Sequence, residues 1–270
     1  MNLIRVIAVA AVLTGTQDAE RVGKSPWGPD DEIGTLNMMT DASRAQVLSR
    51  IAGGKTYDLS VEYYVGMPSW HLLGDPRYQF WMTHTPRGTR VDDPAQVGDS
   101  QNRKVSYTGD AVSMYTHTGT HIDALNHFGL EGEIWNGFKA DEHLGDRGWR
   151  KAGVEKFPPI IARGVLVDVA GYKGLKLLPD SYSITVDDLK GALAKQRTSL
   201  SRGDVVLLRG GRMTVWSEEK DRYILNQPGL GLAAAKWLAE EVGVMVIGGD
   251  NLSLEHFPVE RPDNWVPVHT

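Results

Sequence analysis

DVVLLRG at residues 204–210 and PGLGLAAAKWLAEEVGVMVIGGD at residues 228–250 are the stretches whose reading decides the fold. Residues 204–208 form an apolar run of strand length, and residues 244–247 form another. Continuous rather than alternating apolar residues mark strands covered on both faces, as in parallel sheets. Between these runs, residues 228–242 are predicted as a helix ended by Gly243, because glycine readily takes the left-handed conformation past a helix C-terminus. Strand, helix, strand in that order predicts a parallel pair joined by a right-handed crossover. This part of the chain is therefore α/β.

Upstream, Thr185 with Asp188 supplies a T-x-x-D helix start. Thr40 begins another helical pattern, in which Val47, Leu48 and Ile51 precede Gly53 and Gly54, and this predicts a capped amphipathic helix. Further strands are predicted over residues 56–64, 106–115 and 160–169, where β-branched residues are bounded by Gly, Pro and Asp. The glycines at 210–211 and at 229 and 231 lack a phosphate-loop pattern and read as turns. No repeat or low-complexity linker interrupts the chain, so residues 25–270 read as one domain. Residues 1–24 read as an N-terminal arm or signal peptide: Arg5 precedes an apolar run over 6–13 that is too short to span a bilayer, and a first β-strand is the other reading. Location is left between cytoplasm and periplasm.

With 41% hydrophobic and 23% charged residues, the composition excludes a disordered or fibrous design. Lys and Arg number 29 against 34 Asp and Glu, so there is no basic footprint for nucleic acid, and no segment reads as membrane-spanning. A small molecule is the expected partner. The absence of cysteine excludes disulfides, thiolate metal sites and a cysteine nucleophile; any metal must be held by His, Asp and Glu.

Those residue types concentrate in HTGTHIDALNH, residues 117–127, where His117, His121, Asp123 and His127 are spaced by four, two and four. In extended backbone, even spacing projects all four side chains from one face. Imidazole and carboxylate suit zinc, manganese or iron, and a catalytic site uses about three protein ligands so that one position stays open. His117, His121 and Asp123 fit that role, leaving His127 free for proton transfer. Gly119 lets the backbone pass close to an ion, and the Thr120 hydroxyl is placed to support a ligand. His71, His84, His143 and His256 lack partners at ligand spacing and read as structural or solvated. Asp250 and Glu255 follow a strand and are candidates for a pocket rim. Trp237, at helical spacing with Ala233 and Ala234, reads as core.

At these residues the chain resembles the cyclase family of metal hydrolases, whose hallmark is H-x-G-T-H-x-D-x-P-x-H. Every ligand position matches, and Leu125 stands where the family has proline. The resemblance extends through WGPDDEIGTLN at 27–37, YDLS at 57–60, GMPSW at 66–70 and the stretch from Pro228 to Glu255. It implies a kynurenine formamidase-like α/β fold, a swivelling β/β/α domain with a mixed sheet, and a homo-oligomer, dimer or tetramer. It also implies zinc or manganese, with His117, His121 and Asp123 as metal ligands and His127 as general acid and base. Trp70 matches a position that holds an aromatic at the substrate pocket wall. Such enzymes cleave aryl formamides, cyclic amides or lactones, so a small carbonyl substrate is expected. The family also carries a His-x-x-Leu-Leu element and, roughly a dozen residues later, a Glu that completes a second metal position. Here VPVHT supplies His269 as that ligand, and the remainder is expected beyond Thr270, so the sequence reads as truncated.

Two other classes remain open at this level. His121-x-Asp123 with the distant His269 spells the facial triad of non-haem iron oxygenases, although that leaves His117 and His127 unexplained. A non-catalytic module with a closed, four-ligand metal site is the other.

Overall fold

The computed structural model describes residues 21–270; the apolar run at 6–13 lies outside the described residues. In chain order come helix α1 (Asp41–Leu48), strands β1 (Gln79–His84) and β2 (Gly109–Ser113), and short hairpins between residues 129 and 149. There follow β3 (Gly164–Asp168), β4 (Ser183–Ile184), α2 (Val186–Gln196), β5 (Val205–Arg209), β6 (Gly229–Leu230), α3 (Leu232–Lys236) and β7 (Val246–Gly249). The α/β class is as expected, with parallel and antiparallel pairing divided among several small sheets. Among the described residues, no helix is long and apolar enough to cross a membrane.

β5 is the centre of a three-stranded parallel sheet, with β7 on one side and β3 on the other. Val165, Val167, Val206 and Leu208 point to one face and are buried against Leu189, Ala192 and Leu193 of α2, Ala234 and Ala235 of α3, and the following Leu238. Each buried leucine contributes about 1.5–3 kcal/mol, and this packing, rather than intrinsic propensity, stabilises helices of eleven residues or fewer. The opposite face differs from expectation. Leu166 is 53% exposed, and Leu207 and Ile247 are only partly covered, because the helices pack on one side.

α2 starts where T-x-x-D predicts it. Asp188 N–H donates to Thr185 Oγ1 at 3.2 Å, and Thr185 N–H donates back to Asp188 Oδ2 at 3.0 Å. Buried Asp188 also pairs with Lys173 at 2.7 Å and accepts from the Tyr182 hydroxyl at 2.8 Å. Burial works against its ionisation, but Lys173, Thr185 and Tyr182 outweigh that and hold its carboxyl below the usual range. Its contribution is therefore present above the unfolded-state value near ~3.9 and is lost as pH falls through the lower folded-state value. Asp188→Ala is expected to lower stability by about 2 kcal/mol at pH 7, since it removes a helix cap together with a buried charge-assisted hydrogen bond. Urea unfolding at pH 7 and pH 3 checks this, with the gap between variant and parent narrowing in acid.

Three other expectations are corrected. No strand forms over residues 56–64: Asp58 accepts the Ser60 N–H at 2.9 Å, a local turn that competes with ladder pairing, and Tyr57 and Leu59 stay exposed. α1 has its capping box, Thr40 with Ser43, but no buried residue, and Leu48 and Ile51 lie in solvent. The helix expected from residue 228 begins at Leu232, since Gly229 and Leu230 pair in parallel with Ser183 and Ile184. Its second half widens into π turns over Trp237–Val242 and closes at Gly243, whose φ is +73°. Trp237 is partly buried against the core, as expected.

Candidate metal centre

The chain leaves β2 at Ser113 and runs through bends over residues 116–120 rather than an extended strand. The four even-spaced residues therefore meet by bending, not by strand alternation. Gly119 sits at φ +71°, and a Cβ there would lie 2.6 Å from the Tyr63 ring. The Tyr63 hydroxyl donates to Thr118 O at 2.7 Å and pins the bend. The Thr120 hydroxyl donates to Leu59 O at 3.0 Å, so it anchors the loop to the neighbouring segment instead of supporting a ligand. Gly119→Ala is expected to cost at least about 1–2 kcal/mol in left-handed backbone strain alone, and to displace Tyr63. A thermal melt and a calorimetric Zn²⁺ titration read the two effects.

Asp123 is the hub. Its Oδ1 is 2.6 Å from His117 Nδ1 and 3.3 Å from His121 Nε2, while its Oδ2 is 3.8 Å from His269 Nε2. His121 turns its other nitrogen, Nδ1, to Gly119 O at 2.8 Å, which fixes the ring. The His127 ring stacks on His117 with centroids 3.6 Å apart. Among the described residues, His117, Asp123 and His127 form the set of three whose donor atoms all lie within 4.8 Å of one another. The structure thus brings together every donor singled out in HTGTHIDALNH, and it adds His269 from 142 residues downstream of His127.

Burial disfavours ionisation of Asp123, but hydrogen bonds from His117 and His121 outweigh it and hold the carboxyl well below the usual carboxylate range. His121 is shifted upward, chiefly by its hydrogen bond to Asp123 and against the effect of burial. His127 is pushed down to about 4, first by burial and, against the attraction of Asp123, by the neighbouring imidazoles. It is therefore neutral near pH 7, with a lone pair to offer. A negative carboxylate among imidazole nitrogens is a donor set that fits a borderline divalent cation of the zinc or manganese type.

The cluster lines a cleft walled by Trp70, Tyr115, Phe128, Phe257 and Trp265. Phe257 meets Trp70 edge to face at 5.9 Å, and Phe128 meets Trp265 at 5.8 Å. These four aromatics besides Trp70 carry no signal at ligand spacing. Glu255, flagged only as a rim candidate, is fully buried behind His269, with Oε1 2.5 Å from its Nδ1. Asp250 instead accepts the Gly210 and Gly211 N–H groups at 2.8 and 2.7 Å and secures the turn after β5. His84, His143 and His256 find neighbours elsewhere, in Thr83, Glu142 and Glu260, and the His71 ring bonds Ser69 O at 3.0 Å.

The family model "Cyclase" matches residues 57–256. A solved structure described as a novel cyclase is 28% identical, with a TM-score of 0.77 over 90% of this chain and 78% of that one. Isatin hydrolase A from Ralstonia solanacearum shares the fold at 19% identity, with a TM-score of 0.59 over 84% of this chain and 77% of its own. Cyclase-like protein 3 of Oryza sativa subsp. japonica is 24% identical over 222 residues, 80% of this chain. The chain spans 63% of the length of that relative.

Proposed function

This chain belongs to the cyclase family, and from that premise we propose that it is a metal-dependent hydrolase of a small carbonyl compound, an aryl formamide, cyclic amide or lactone. The observation that carries the reading is the gathering of His117, His121 and His127 about the Asp123 carboxylate within an aromatic-walled cleft. His117, His121 and Asp123 would hold a zinc or manganese ion, and His269 approaches from the far side of the same carboxylate. When bound, such an ion supplies Lewis acidity at a carbonyl oxygen and a source of nucleophile near neutral pH.

The remaining chemistry belongs to the chain. His127, neutral and stacked on His117, accepts the proton released as water attacks and returns it through a ring nitrogen to the departing nitrogen or oxygen. Trp70, Phe128 and Trp265 line the same cleft and present apolar surface that holds a flat substrate and excludes water from the reacting carbon. An oxygenase triad of His121, Asp123 and His269 would leave His117 and His127 idle, and a closed structural site would leave the cleft without a task. Assembly into a dimer or tetramer is part of the same reading, supported by Phe80, Trp81 and Met82, which lie exposed on β1; light scattering in solution reads it.

The test is metal analysis of the purified protein followed by hydrolysis assays on a panel of aryl formamides, cyclic amides and lactones. Bound zinc or manganese, with turnover lost on chelation and restored by the ion, is the expected result. A folded protein that takes up no divalent cation and cleaves none of the panel would end the proposal.

A further inference from the structure

Glu255 is fully buried, and the chemistry above gives it no task. A buried carboxylate is costly unless its oxygens are satisfied, so its partners define its purpose. Oε1 lies 2.5 Å from His269 Nδ1, and Oε2 accepts the Val268 N–H at 3.3 Å. Both partners belong to one short stretch, in which the His269 N–H closes a turn onto Val266 O at 3.1 Å.

The backbone of Glu255 is itself held on several sides. It bridges in parallel to Leu230, and its carbonyl accepts from Asn251 Nδ2 at 3.1 Å and from Ser253 Oγ at 3.0 Å. The close approach depends on Gly229, where a Cβ would lie 2.4 Å from the Glu255 carbonyl carbon. A rigid, buried acceptor thus faces one nitrogen of His269, whose other nitrogen is 3.8 Å from Asp123 Oδ2. The His269 ring also rests against Phe128, with centroids 5.0 Å apart, which restricts its rotation.

The structure assigns Glu255 as the positioning residue that holds His269 in its Nδ1–H tautomer and presents a bare Nε2 to the Asp123 centre. A carboxylate oxygen only accepts, so Nδ1 carries the proton; a neutral imidazole has one such proton, and Nε2 keeps its lone pair. An outer carboxylate of this kind fixes the orientation of a metal-binding imidazole and raises its basicity. The inference rests on the reading of Asp123 as the centre of a cation site.

Two measurements test it. In the wild-type protein without added metal, at a pH where the His269 ring carries a single proton, its side-chain ¹⁵N shifts are expected to show that proton on Nδ1 and Nε2 bare. In a Zn²⁺ titration by calorimetry, Glu255→Gln is expected to weaken binding by about 10–100-fold, and the Glu255→Gln/His269→Ala double variant to bind no more weakly than His269→Ala. The Nε2–H tautomer would overturn the assignment, as would undiminished Zn²⁺ affinity in a Glu255→Gln protein that melts like the parent. Should Glu255→Gln fail to fold, the wild-type tautomer decides alone. If the wild-type protein binds no divalent cation, the functional proposal falls, while the tautomer still decides the task of Glu255.

Discussion

Asp123→Ala is expected to yield a folded protein that takes up no divalent cation and turns over no substrate. This single carboxylate lies within hydrogen-bonding distance of His117 and His121 and faces His269. Without it, four imidazoles, of His117, His121, His127 and His269, share a small space with no negative charge to offset a cation. The loss of affinity should exceed the ~10–100-fold that removal of a supporting residue costs. Turnover should fall by more than the ~10²–10⁴-fold that one proton-transfer group contributes. The Asp123 side chain is 34% exposed, so its removal opens no closed cavity and the fold should persist. Metal content and a thermal melt on the same sample check this; a variant that keeps its ion would place the centre elsewhere.

His127→Ala separates proton transfer from ligation. Its expected result is a drop in kcat of about 10²–10⁴-fold with metal content unchanged. The competing outcome is specific, because the donor atoms of His117, Asp123 and His127 all lie within 4.8 Å of one another. Loss of the ion together with activity would make His127 a ligand and leave the proton-transfer role to be reassigned. Metal analysis distinguishes the two before any rate is measured.

Where side-chain chemistry is local in sequence, the chain was readable. The T-x-x-D start of α2, the apolar strand β5 and the eleven-residue histidine stretch each contain their own cause, and the structure has them close to where they were expected. Residues 56–64 misled because β-branched composition signals a strand only when a neighbour is there to pair with. Asp58 and Ser60 make a turn instead. The length of the helix after Pro228 misled for a similar reason: Gly229 and Leu230 belong to contacts with Ser183, Ile184 and Glu255, which no local pattern reveals. In the site, Trp70 and the four donors of HTGTHIDALNH were legible. The buried partnership of Glu255 with His269 was not, because it depends on a return of the chain over the intervening residues rather than on spacing.

The Tyr63 hydroxyl bond to Thr118 O joins the histidine bend to a segment that forms no regular strand. Since His117, His121, Asp123 and His127 all lie within the eleven residues 117–127 that start in that bend, a local opening there would release every one of them together while the parallel sheet stayed intact. Chelators would then strip the ion at a pace set by the breathing of one loop, far below the denaturant concentration that unfolds the molecule. The same concentration of donors on a short contour would let a cation of the proposed kind rebind without any long-range search by the chain.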